Sequence, residues 1–238
     1  MTHMDPQLTT YRSILAVCAH PDDESFGLGA ALTMFDDEGS ATSVLCFTHG
    51  EASTLGADTP ELGRVRASEL AAAAKVLGVS DVELLGYSDG HLDEVPLAEL
   101  MTPIHQAVQR SRADLLLVFD EGGITGHADH CRASEAAIEM ARALQLPVLA
   151  WTLPERVADS LNLEFGGGFI GRSNAEVDYV VHVDRTRQRR AIAQHVSQFV
   201  DNPVLGRRLE LQGDGETFRW LLAPQSDVVI AREPERAE

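Results

Sequence analysis

Short apolar runs alternate along this chain with segments whose apolar residues recur at helical spacing, and that alternation sets the expected architecture. Ser13 to Cys18, Thr42 to Phe47, Val82 to Leu85, Asp114 to Phe119 and Pro147 to Thr152 read as five buried strands. Between them, Gly27 to Asp37, Pro60 to Leu77, residues 97 to 110 and His130 to Leu144 read as helices, with Gly39 and Gly78 stopping the first two. The pattern predicts a Rossmann-like three-layer α/β domain whose mostly parallel sheet is covered on both faces and ordered 3-2-1-4-5.

Past Thr152 the regularity loosens. A short helix over 154 to 162, a mobile glycine-rich loop from Phe165 to Phe169, a late strand from Asp178 to Val183 and a helix from Arg185 to Phe199 are expected. A helical turn near Leu205 to Leu211 and the apolar pieces Phe218 to Leu222 and Val228 to Ala231 follow. The 238 residues are expected to form a single domain. In it, 13–152 is the Rossmann-like core with the functional site, 153–231 a C-terminal elaboration on the substrate side, and 232–238 a disordered charged tail.

The net charge of −18 repels phosphate backbones, which argues against nucleic acid and favours a neutral or cationic small molecule. The first apolar run is too short for a signal peptide or a membrane span, so a cytoplasmic protein without membrane insertion is expected. Homo-oligomerisation is left open. Cys18, Cys46 and Cys131 are odd in number and far apart, and no disulfide framework is expected.

One stretch has no use in a packed domain. Ala19-His20-Pro21-Asp22-Asp23-Glu24 puts an imidazole and three carboxylates at the carboxyl end of the first strand, where ionised groups resist burial unless paired or bound to a metal. A second concentration, Gly122 to His130, follows the fourth strand with His127, Asp129 and His130. In the order 3-2-1-4-5 the two strands are neighbours at the switch point, where ligands bind. A catalytic metal needs three or four nitrogen and oxygen ligands at roughly 2.0–2.2 Å, and two His with one Asp satisfy that. Zinc is the first choice; iron(II), cobalt(II) and nickel(II) also accept imidazole. Glu24 and Asp129 read equally as support for ligands or as first-turn acids favoured by the helix dipole. Arg64 and Arg66 read by themselves as solvated helix residues.

The runs His20-Pro21-Asp22-Asp23-Glu24 and His127-Ala128-Asp129-His130 resemble the PIG-L/LmbE family of zinc-dependent N-deacetylases, with looser likeness over Arg66 to Gly78 and His195 to Gln198. The resemblance implies zinc on His20, Asp23 and His130, Asp22 as general base, His127 as electrostatic partner of the transition state, and Asp129 orienting His127. It also implies Arg66, Glu51 and Asp89 as contacts to substrate hydroxyls, and an N-acetylated sugar or glycoconjugate as substrate. Some members carry a tyrosine two residues before the first histidine of the second motif; this chain has Thr125. Two alternatives stand beside this reading: another metal-dependent hydrolase, such as a thiol-conjugate amidase or an esterase, and a non-catalytic α/β binding module.

Overall fold

The computed structural model describes residues 7–224, so Val228 to Ala231 and the 232–238 tail lie outside the described residues. Its chain order opens with β1 (Ser13–Cys18), a one-turn helix α1 (Asp23–Phe26), α2 (Gly29–Asp37), β2 (Ala41–Thr48), α3 (Leu62–Leu77) and β3 (Asp81–Tyr87). It continues through α4 (Leu97–Ser111), β4 (Leu115–Phe119), the turn α5 (Gly123–Gly126), α6 (Ala128–Leu144) and β5 (Val148–Pro154). The last third holds α7 (Glu155–Phe165), β6 (Gly171–Arg172), β7 (Tyr179–His182), α8 (Thr186–Ile192), α9 (Val196–Phe199), α10 (Pro203–Gln212) and β8 (Gly215–Leu222).

Every residue of β1 and β4 is buried, because neighbouring strands shield both edges and helices shield both faces. Side chains alternate across the strand: Ile14, Ala16 and Cys18 pack with α2, α3 and α7, while Leu15, Val17 and Ala19 pack with α4 and α6. Each fully buried Leu, Ile or Val side chain contributes roughly 1.5–3 kcal/mol of transfer free energy, which explains why the strands read as continuous apolar runs. β1 pairs in parallel with β2 and with β4, as the switch point requires.

The sheet is a mixed α/β assembly with the order β3-β2-β1-β4-β5-β8-β7, which contains the expected 3-2-1-4-5 and extends it. β8 runs antiparallel to both β5 and β7, and its Phe218 lies opposite Trp151 on β5 and Tyr179 on β7. The late apolar piece at Phe218 to Leu222 is thus an inner strand of the same sheet.

Two other expectations past Thr152 are corrected. The helix expected from Arg185 to Phe199 breaks after Ile192, because His195 takes a non-helical backbone (φ −84°, ψ 59°) that turns its ring onto Glu24. The glycine-rich loop is pinned: α7 runs on to Phe165, Gly166 closes it at φ 66°, and the Asn162 amide exchanges hydrogen bonds with both Phe169 N–H (2.6 Å) and Phe169 C=O (2.8 Å). Among the described residues no helix is long and apolar enough to cross a membrane.

Candidate active site

The carboxyl ends of β1 and β4 bring the two charged motifs together. Asp22 carries the strain of the first turn, with φ at 124°, a region that costs a non-glycine residue about 1–3 kcal/mol. Glu24 holds that turn from beneath. Fully buried, it accepts from the Asp22 backbone N–H (2.9 Å), the Ser25 hydroxyl (2.5 Å) and His195 Nε2–H (2.7 Å).

His20 Nδ1, His130 Nε2 and the Asp23 carboxylate converge, with His20–His130 at 3.1 Å, His130–Asp23 at 3.2 Å and His20–Asp23 at 3.9 Å. Tetrahedral ligands about 2.1 Å from one cation stand about 3.4 Å apart, so this donor set fits a divalent metal. The remaining nitrogens fix the tautomers. His130 Nδ1–H donates to the Gly123 carbonyl at 3.0 Å, and His20 Nε2–H donates to Asp89 (2.9 Å) and Asp129 (3.2 Å). Each imidazole thereby turns a lone pair toward the same point. Asp23 is oriented in turn by the backbone N–H groups of Ala19 (3.1 Å) and His20 (2.9 Å).

The electrostatics point the same way. Burial lowers His20, yet Asp129 and Asp89 outweigh it and raise the imidazole to about 10. Burial raises Asp23, yet the His130 and His20 imidazoles hold its carboxyl well below the carboxylate range. The cluster stabilises positive charge at its centre, which is what a cation supplies. Asp22 differs: burial pushes it up to about 6, against the opposing pull of the Arg66 guanidinium 3.0 Å away.

Several sequence expectations change here. Asp129 does not orient His127 through its carboxylate, which is taken up by Gly90 N–H (2.7 Å), Leu92 N–H (3.0 Å) and His20. Instead the Asp129 backbone N–H donates to His127 Nδ1 at 3.2 Å, capping α6 and leaving the His127 proton on Nε2. Burial and the neighbouring imidazoles of His130 and His20 lower His127, so it faces the cleft as a neutral donor.

Arg66 is not solvated. It is 3% exposed and its guanidinium clamps the Gly50 carbonyl (2.5 Å), the Pro21 carbonyl (2.5 Å) and Asp22. Asp89 spends one oxygen on His20 and the other on Ala52 N–H (2.8 Å), and Glu51 accepts the Asp89 N–H (3.1 Å). Both carboxylates therefore brace the site more than they face substrate, and Glu51 does not line the cleft.

The cleft above these residues has a volume of about 530 Å³, within the range of small-molecule sites. Its far wall holds residues that the sequence reading did not single out: Trp151 from β5, and Phe169, Asn202 and Arg208 from the irregular last third. No local motif marks them. Gln198, within a looser signature, also lines the cleft and accepts from Ser53 Oγ at 2.7 Å.

A sheet of this order with a His/Asp group that could hold a cation at its switch point is a Rossmann-like arrangement of the kind that binds small molecules. The family described as "PIG-L: GlcNAc-PI de-N-acetylase" matches residues 15–141, and the chain belongs to it. It is 29% identical to a 1D-myo-inositol 2-acetamido-2-deoxy-alpha-D-glucopyranoside deacetylase of Salinispora arenicola, over 82% of this chain and 78% of that protein. Among solved structures, an N,N'-diacetylchitobiose deacetylase from Pyrococcus horikoshii is similar at 25% identity and a TM-score of 0.65, covering 92% of this chain and 87% of that one. A 4-carboxy-2-hydroxymuconate hydratase of Pseudomonas putida shares the fold at 15% identity and a TM-score of 0.67, over 91% and 98% of the two chains. The fold by itself therefore leaves the reaction open.

Proposed function

We propose that the chain is a metal-dependent N-deacetylase that hydrolyses the acetamide of an N-acetylated sugar or sugar conjugate. The observation that carries this is the convergence of His20, Asp23 and His130 with each distal imidazole nitrogen already anchored. The names of the related deacetylases support the substrate class. Those three residues would hold the metal, zinc first by donor chemistry with iron(II), cobalt(II) or nickel(II) as substitutes. Zinc, when bound, supplies Lewis-acid charge and makes water more acidic.

The chain's own residues do the rest. Asp22, outside the ligand set, takes a proton from the attacking water and returns it to the departing nitrogen; with a pKa raised to about 6 it can do both near neutral pH. Arg66 fixes the direction in which Asp22 points and keeps it ionised. His127 donates its Nε2–H to the developing oxyanion. This takes on the part that a tyrosine would share, since the hydroxyl of Thr125 is short. The polar side of the cleft, with Ser53, Thr54 and Asp22, is suited to sugar hydroxyls. We further propose that the chain works as one domain and acts in the cytoplasm.

The test is acetate release from N-acetylglucosamine, its conjugates and simple acetamides, alongside metal analysis of the purified protein. Acetate release that is lost on chelation and restored by zinc is expected. A metal-loaded protein that releases no acetate from any of them would overturn the reading.

A further inference from the structure

The cleft has two unlike halves, and the sheet order separates them. Over β2 and β3 the lining is polar; over β4 and β5 it is built from Phe26, Phe119, Ile124, Trp151, Phe169 and Leu205. An aromatic path leads away from the metal ligands on this second side. The Phe119 ring stands 5.0 Å from His130, Trp151 5.5 Å from Phe119, and the Arg208 guanidinium 5.0 Å over the Trp151 ring. With a sugar in the polar half, the acyl group on the other side of the scissile bond would point toward the apolar one.

Arg208 closes this half and is an anomaly there. It is 6% exposed, yet among the described residues no carboxylate lies within 4.0 Å of it. Among the described residues its one hydrogen bond runs from Nη2 to the Phe26 carbonyl. The nearby buried acid, Glu216, is already committed to Arg185, to Trp151 Nε1–H (2.6 Å) and to Gln212 (3.2 Å). Of the two buried guanidinium groups, only that of Arg185 is paired with the Glu216 carboxylate. Burial lowers Arg208 to about 10, and the side chain lines the cleft, where an anion would meet a guanidinium without a carboxylate partner.

We propose that Arg208 is a specificity-determining residue that reads a carboxylate at the far end of the acyl group, so that among acyl groups longer than acetyl, monoamides of dicarboxylic acids are preferred over neutral ones of equal length. The proposal rests on the amide-hydrolase reading above and deepens it. It also reverses, at the acyl end, the preference for neutral or cationic ligands expected from the net charge of −18. In the reaction the amide C–N bond breaks, the oxygen of water enters the new carboxylate, and both its protons end on the nitrogen, which leaves as an ammonium. The acid leaves as a dicarboxylate.

The test compares succinate with butyrate, equal in length but differing in the second carboxylate, by calorimetric titration of the zinc-loaded full chain. Succinate should bind about tenfold or more tighter, and Arg208→Met should abolish that advantage. The second readout is kcat/KM for N-succinyl- against N-butyrylglucosamine, whose ratio should fall by about tenfold or more in Arg208→Met. Melting curves verify folding; should Arg208→Met not fold, Arg208→Lys carries the comparison, keeping a point charge and only part of the preference. No preference in the wild type, or one that survives Arg208→Met, overturns the proposal. A preference instead for N-acetylmuramic acid over N-acetylglucosamine, lost in Arg208→Met, would move the carboxylate to the amine side and overturn the acyl assignment. If no amide is hydrolysed at all, the deacetylase reading fails, while the succinate and butyrate titration still decides on Arg208.

Discussion

Replacing Asp129 by asparagine separates two jobs that one carboxylate does, bracing a loop and orienting His20, a proposed metal ligand. Asp129 is fully buried; one oxygen accepts from Leu92 N–H at 3.0 Å, the other from Gly90 N–H at 2.7 Å and His20 Nε2–H at 3.2 Å. An asparagine amide has a single acceptor oxygen. Set toward Gly90 and His20, it turns its NH2 against Leu92 N–H, donor facing donor; set the other way, it confronts two donors and forces His20 into the wrong tautomer. The first arrangement is cheaper and costs about 1–3 kcal/mol of stability for the group left unpaired. His20 also loses a charged partner, and such losses weaken metal binding about 10–100-fold. Asp89 remains 2.9 Å from the same nitrogen, so the single variant belongs at the lower end, near tenfold. Asp89→Asn with Asp129→Asn should exceed the sum of the two singles, because each carboxylate covers for the other. Chelator competition for zinc and melting of the metal-free proteins give both numbers. Zinc affinity within twofold of the wild type in both singles and in the double would refute the assignment of these carboxylates to His20.

Asp22→Asn should lower kcat by about 10²–10⁴-fold with metal still bound, whereas His20→Ala should lose the metal; undiminished turnover in purified Asp22→Asn would sink the base assignment. Because Asp22 acts ionised and burial raises it to about 6, kcat/KM should be level above that pH and fall tenfold per unit below it, as a pH profile would show. A profile flat down to pH 4.5 would contradict this. Gly50→Ala should destabilise the protein by more than about 1 kcal/mol, since φ is +62° there and a Cβ would overlap the Arg66 guanidinium. The same change should cut turnover by loosening Arg66 from Asp22; a variant with unaltered melting and rate would show that the Arg66 clamp is dispensable.

Legibility in the sequence followed the range of the interactions. β1, β2, β4 and their helices declare themselves because buried parallel strands are short apolar runs and helical faces repeat locally. The residues proposed to hold the metal were equally visible, since charge packed at two strand ends has few structural uses. What escaped depends on partners distant in the chain. The pairing of β8 with β5 has no local signature, and a run that scores as one helix breaks at His195 only because Glu24 waits across the fold. Arg66, Asp89 and Glu51 were placed near the site, but residue type could not say that their polar atoms are consumed in bracing it. Arg208 gave no sign, because an arginine in an amphipathic stretch ordinarily lies in water.

The network beneath the first motif also sets an order of events during synthesis. Glu24 meets its partner His195 across a sequence separation of 171, and the Phe26 carbonyl meets Arg208 across one of 182. At about 5–20 residues per second the ribosome needs roughly ten to thirty seconds to deliver those partners. During that interval a strained Asp22 turn and a buried carboxylate stand without support. The motif translated first is thus the one whose supports are finished last.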